Sequence, residues 1–181
     1  MNDSIYYQYL FVINPDSIVS DQIITFKKEL SQAIGEFSSL HSDPHITIGS
    51  IILTQLKEDM LLERMQYVCA HAKPFNIALD GFGSFKPHTV YARLADSQKV
   101  REFTSTCERS CDGLPSKKGW QPKAKNPHMT IGRELGSKFK QSKELFVNRL
   151  FQARFEVTEL RVMRRELEGR YSIIKELPFQ G

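Results

Sequence analysis

The chain has 181 residues, of which 40% are hydrophobic and 25% charged, the profile of a globular protein that can bury one large core or two small ones. No apolar run approaches the roughly 18 residues that a bilayer-spanning helix needs, which argues against a membrane protein. The net charge of +4 is unevenly spread: residues 1–90 carry 6 Lys/Arg against 10 Asp/Glu, and residues 91–181 carry 19 against 11, so the halves stand at −4 and +8.

Read in chain order, Tyr6 to Ile13 is an apolar run with no basic lead-in and no small-residue cleavage site after it. That reads as a strand and not a signal peptide. Asp16 is a candidate N-cap. Val19, Ile23, Phe26, Leu30, Ile34 and Phe37 then recur at helical spacing on one face. A strand is expected from about His45 to Leu53, and a helix follows with Leu61, Met65, Val68 and Ala72 on its apolar side. Phe75 to Phe85 reads as a strand in which Gly81 and Gly83 suggest a bulge or close backbone approach. Thr89 to Leu94 is a further strand. A helix capped near Asp96 or Ser97 carries Val100, Phe103 and Cys107, and a long loop is expected from Asp112 to Pro127. The pattern ends with a strand from His128, a helix from about Ser137 to Gln152, and a closing hairpin of Arg154–Glu166 and Arg170–Leu177 around Glu168-Gly169. Cys69, Cys107 and Cys111 are odd in number and lack CxxC spacing. This fits reduced thiols in a cytoplasmic protein.

The chain repeats itself. Pro44-His45-Ile46-Thr47-Ile48-Gly49-Ser50 is matched by Pro127-His128-Met129-Thr130-Ile131-Gly132-Arg133, with five of seven positions identical. Tyr6 precedes His45 by 39 residues, and Thr89 precedes His128 by the same 39. Repeated order and spacing point to an internal duplication, with halves of approximately 1–86 and 87–181 between which strands can exchange. Because the duplication supplies both half-sites, a monomer is expected.

On a strand, residues i and i+2 face the same way. His45 and Thr47 therefore share one face, as do His128 and Thr130, while the apolar residues between them turn to the core. Two imidazoles and two hydroxyls converging on one cleft suit phosphodiester chemistry. One neutral imidazole takes a proton from the attacking water, and the other, protonated, supplies the leaving oxygen. The threonine hydroxyls donate to phosphate oxygens where charge develops. The scheme calls for no metal and no cofactor. Pro87-His88-Thr89 sets Thr next to His, which would turn the two to opposite faces, so His88 reads as structural. Pro44 breaks any helical pairing of His41 with His45, and His71 sits at a helix end where its charge suits the dipole.

Two PHxT motifs, one per half, resemble those of the two-histidine phosphoesterase superfamily, in its bacterial 2′-5′ RNA ligase-like or RNA 2′,3′-cyclic phosphodiesterase branch. The second heptapeptide resembles that branch's PH-x-T-hydrophobic-small-Arg pattern, and Leu79–Phe85 followed by Thr89–Leu94 resembles the Gly-Phe strand pair between the motifs. The resemblance implies an α+β fold of two pseudo-two-fold-related lobes. Each would be an antiparallel sheet with outer helices, and His45, Thr47, His128 and Thr130 would line the cleft between. It also implies activity on 2′,3′-cyclic phosphates or 2′-5′ linkages of RNA.

From Gly113 to Arg133 the chain carries Lys117, Lys118, Lys123, Lys125 and Arg133 and no acidic residue, with Trp120 among them. Basic groups around an aromatic suit a nucleic-acid backbone and a stacked base. Arg133, Lys125 and Trp120 are therefore substrate-binding candidates, and Tyr9 joins them because it shares with Phe11 a face of the first strand that can line the cleft. RNA ends and a small cyclic nucleotide remain alternative substrates, and a non-catalytic RNA-binding module is the rival from another class.

Overall fold

A computed structural model of the chain describes residues 5–122 and 126–181. The elements are β1 (Tyr6–Ile13), α1 (Ser17–Ile34), β2 (Ile46–Thr54), α2 (Glu58–His71), β3 (Phe75–Phe85), β4 (Thr89–Leu94) and α3 (Gln98–Ser110), followed by β5 (Lys118–Pro122), β6 (His128–Gly132), α4 (Phe139–Phe146), β7 (Gln152–Val157), β8 (Glu159–Glu166) and β9 (Ser172–Pro178). Among the described residues the protein is α+β: a nine-stranded antiparallel sheet and four α-helices. Helix α1 starts where expected, with the Asp16 carboxylate accepting from the Val19 amide at 2.9 Å, and it buries Val19, Ile23, Phe26 and Leu30.

The strands run in the order β7-β3-β4-β6-β2-β1-β8-β9, with β5 added on β2. The antiparallel sheets expected of the two lobes are joined edge to edge into one continuous sheet. The join is narrow, because β2 and β6 are registered through the single pair Ile46↔Met129. The order also mixes the two sequence halves. β3 lies between β4 and β7, whereas β8 lies between β1 and β9. Helices α1 and α4 pack on the β7-β3-β4-β6 side, and α2 and α3 pack beside β9, β2 and β5. Phe26 of α1 meets Phe82, Phe146 and Phe151 edge-on, and this aromatic cluster fixes α1 and α4 to one half of the sheet.

Three expected elements are corrected. The expected loop Asp112–Pro127 contains β5, which pairs with β2 at Gly49↔Pro122 and Ser50↔Gln121. The helix expected from Ser137 to Gln152 is confined to Phe139–Phe146. Beyond it Leu150 is 97% exposed, so no apolar contact prolongs the helix, and Gln152 already belongs to β7. The segment Arg154–Glu166 is two strands broken at Thr158. Phe155 and Val157 are buried before the break, Leu160 and Val162 after it. The buried set changes from odd to even, which one strand of period two cannot do. β7 accordingly pairs with β3, and β8 with β1.

Candidate active site

His45 immediately precedes β2, and His128 opens β6. Between and after them, Ile46, Ile48, Met129 and Ile131 are fully buried, whereas His45, Thr47, His128 and Thr130 are only half-buried. The apolar residues face the core and the four polar residues the other side. The register Ile46↔Met129, extended one residue each way, sets His45 opposite Thr130 and Thr47 opposite His128. Each imidazole therefore stands across from the hydroxyl of the other motif.

The two histidines are held alike. His45 Nδ1 lies 2.7 Å from the Asp43 carbonyl oxygen, and His128 Nδ1 lies 2.8 Å from that of Asn126. A carbonyl only accepts, so Nδ1 carries the hydrogen in each ring and Nε2 is left for chemistry. The intervening Pro44 and Pro127 explain the repeated geometry: proline confines the residue before it to extended conformations, which aims the carbonyl two residues back at the ring.

Burial lowers the pKa of His45, and the cations Lys27 and Arg133 lower it further, against the opposing effect of the Asp43 carbonyl. Burial also lowers the pKa of His128, opposed by the Asn126 carbonyl. The surroundings of the two rings differ. Phe85 and Tyr91 each lie 5.0 Å from His128, ring centre to ring centre, and stack on one another at 4.5 Å. Tyr91 pairs with Thr130 across β4 and β6, and a Cβ on Gly83 would stand 2.5 Å from the Tyr91 ring, so the glycine is what lets the ring lie there. Phe85 and Tyr91 were not among the sequence candidates. The alternation on β4 carried a signal for Tyr91, since Val90, Ala92 and Leu94 are the core set and Tyr91 falls on the opposite face.

The other candidates are dispersed. Arg133 is 60% exposed, with Nε 3.8 Å from Glu134 Oε1, and its charge reaches His45. Trp120 stacks on the fully buried Phe11 at 5.0 Å and lies so close over Gly49 that a Cβ there would come within 2.2 Å of its ring; it is a lid on the core. Tyr9 has no exposed surface to offer a ligand. Lys123 and Lys125 lie outside the described residues.

No curated protein sequence matches the chain. Among solved structures, it superposes on E. coli LigT complexed with NADP+ with a TM-score of 0.71 at 16% identity, over 97% of this chain and 99% of that one. The E. coli LigT complex with 3′-AMP gives 0.68 at 17%, over 97% and 99%, and TT0787 of Thermus thermophilus gives 0.72 at 16%, over 96% and 98%. At these identities the likeness is one of fold. The model of the 2′-5′ RNA ligase superfamily matches residues 12–169. Because that match spans most of its length, the chain belongs to the 2′-5′ RNA ligase superfamily of two-histidine phosphoesterases.

Proposed function

We propose that the protein is a metal-independent phosphoesterase that opens 2′,3′-cyclic phosphates, or cleaves 2′-5′ linkages, at RNA ends. The observation that carries this reading is the duplicated anchoring of His45 and His128 through Nδ1, which leaves both Nε2 atoms for chemistry, with a threonine opposite each. A binding surface has no need of two imidazoles held in one tautomer.

In the hydrolysis of a cyclic phosphate, one Nε2 takes a proton from water as its oxygen bonds to phosphorus. The bond from phosphorus to one ribose oxygen breaks, and the other imidazolium gives its proton to that oxygen, leaving a phosphomonoester and a hydroxyl. Thr47 and Thr130 donate to the non-bridging oxygens. Local charge supports a division of labour. Lys27 and Arg133 favour neutral His45, which suits the base. Phe85 and Tyr91 offer π-electrons to His128, which suits the cationic acid. The same stacked pair gives a nucleobase a flat face beside the phosphate site, and Arg133 supplies a cation. Phosphate-bearing nucleotides such as the 3′-AMP complexed with E. coli LigT fit that combination.

The direct test is hydrolysis of a short RNA ending in a 2′,3′-cyclic phosphate, with EDTA present, by wild type and His128→Ala. Turnover by the wild type that is lost in the variant supports the reaction. Turnover that vanishes with EDTA, or survives in the variant, contradicts it.

A further inference from the structure

Lys27 lies on the apolar stripe of α1, one turn beyond Ile23, and is 1% exposed. Buried lysines are uncommon. Its ammonium donates to the carbonyl oxygens of Ser39, at 2.9 Å, and Ser42, and to Ser42 Oγ at 3.0 Å. Ser42 Oγ in turn donates to the Ser39 carbonyl at 2.9 Å. The segment between α1 and β2 is therefore wound around one cation.

That segment touches both motifs. Its next carbonyl, Asp43, is the one that holds His45 Nδ1. On the other side, Ser39 Oγ donates to the Ile131 carbonyl at 3.3 Å and accepts from the Arg133 amide at 3.1 Å, while Ser38 Oγ donates to the Arg133 carbonyl at 3.1 Å. Ile131 and Arg133 lie within three residues of Thr130, at the end of the second motif. The narrow β2–β6 join thus has a second bridge, made of serine side chains gathered by Lys27.

We infer that Lys27 is a positioning residue: it fixes the peptide that orients His45 and, through Ser39, ties the first motif to the strand of the second. The charged and titratable groups around it are Asp43, Arg133 and His45. Burial, assisted by Arg133 and opposed by Asp43, pushes its pKa down to about 8. A cation that costs so much to bury is out of place as mere packing. Hydrogen bonds to carbonyls that must not move account for it.

The kinetic arm of the test rests on the phosphoesterase reading above; the spectroscopic arm does not. In long-range nitrogen–proton NMR spectra taken above the imidazole pKa, wild-type His45 and His128 show the Nδ1–H tautomer. In Lys27→Met, His45 becomes a tautomer mixture and titrates at higher pH because a neighbouring cation is gone, while His128 is unchanged. kcat falls about 10- to 100-fold with KM moving less than about threefold, as a misplaced base requires. Ser39→Ala keeps the lysine and removes the strap, and is expected to lower kcat about three- to tenfold. It serves on its own if Lys27→Met does not fold. A folded Lys27→Met with kcat within about twofold of wild type, or with reduced kcat and an unchanged His45 tautomer, overturns the inference; so does Ser39→Ala that is normal in kcat. An inactive wild type would count against the phosphoesterase reading alone, since the imidazole spectra still decide the role of Lys27.

Discussion

His45 and His128 share a tautomer but differ in surroundings, and that difference is testable by pH. The base must be neutral, so rate falls as pH drops through its pKa. The acid must be protonated, so rate falls as pH rises through its pKa. Both pKa values are lowered by burial, so kcat/KM of the free enzyme should peak below the ordinary imidazole value of about 6.5. If His45 is the base, residual activity of His45→Ala keeps only the alkaline limb and that of His128→Ala only the acid limb; the opposite pairing reverses the assignment. Thr47→Val or Thr130→Val should reduce kcat about 10- to 1000-fold, the scale of one lost oxyanion donor, and an unaltered kcat removes the hydroxyl from the mechanism. These four residues were legible because the motif is local: spacing alone sets their shared face. Lys27 was not: it falls on the apolar stripe of α1, but a lysine there ordinarily runs its stem along the core and carries its charge out to water. Only the fold brings Ser39 and Ser42 to its ammonium.

At the scale of elements, two glycines that face aromatic rings should respond differently. Gly49→Ala drives a methyl into Trp120, whose ring is wedged against buried Phe11, so stability should drop by about 1–3 kcal/mol in denaturant titrations, the usual scale of core overpacking. Gly83→Ala displaces the half-exposed Tyr91, which has solvent to move into. Stability should change little, and KM for a nucleotide substrate should rise. Equal destabilisation by the two substitutions would show that Tyr91 is as confined as Trp120. The strands β1, β3 and β4 match their expected limits because their apolar patterns are long and end at turn residues. β5 was missed because Lys118-Gly119-Trp120-Gln121-Pro122 has no alternation of its own, and pairing with β2 imposes its conformation. The division of β7 from β8 was present in the sequence as the shift in apolar phase across Thr158.

For the whole molecule, the positive second half should show itself in salt dependence. If an RNA strand runs across it, affinity for an oligonucleotide should fall about tenfold or more between roughly 50 and 200 mM salt, while that for a mononucleotide falls less than about threefold. Equal slopes would place the whole ligand within the histidine cleft and favour a small cyclic nucleotide. The duplication was readable from the repeated heptapeptide, but the strand order was not, since pairing between distant strands leaves no local mark. That order bears on synthesis. β1 has β2 on one side, but its other neighbour, β8, is made more than 140 residues later. Until then the nascent chain carries an open strand edge of Tyr, Leu, Phe and Val, the kind of edge that invites pairing with other chains. The strands that carry the two histidines, β2 and β6, are both made before β8 covers that edge.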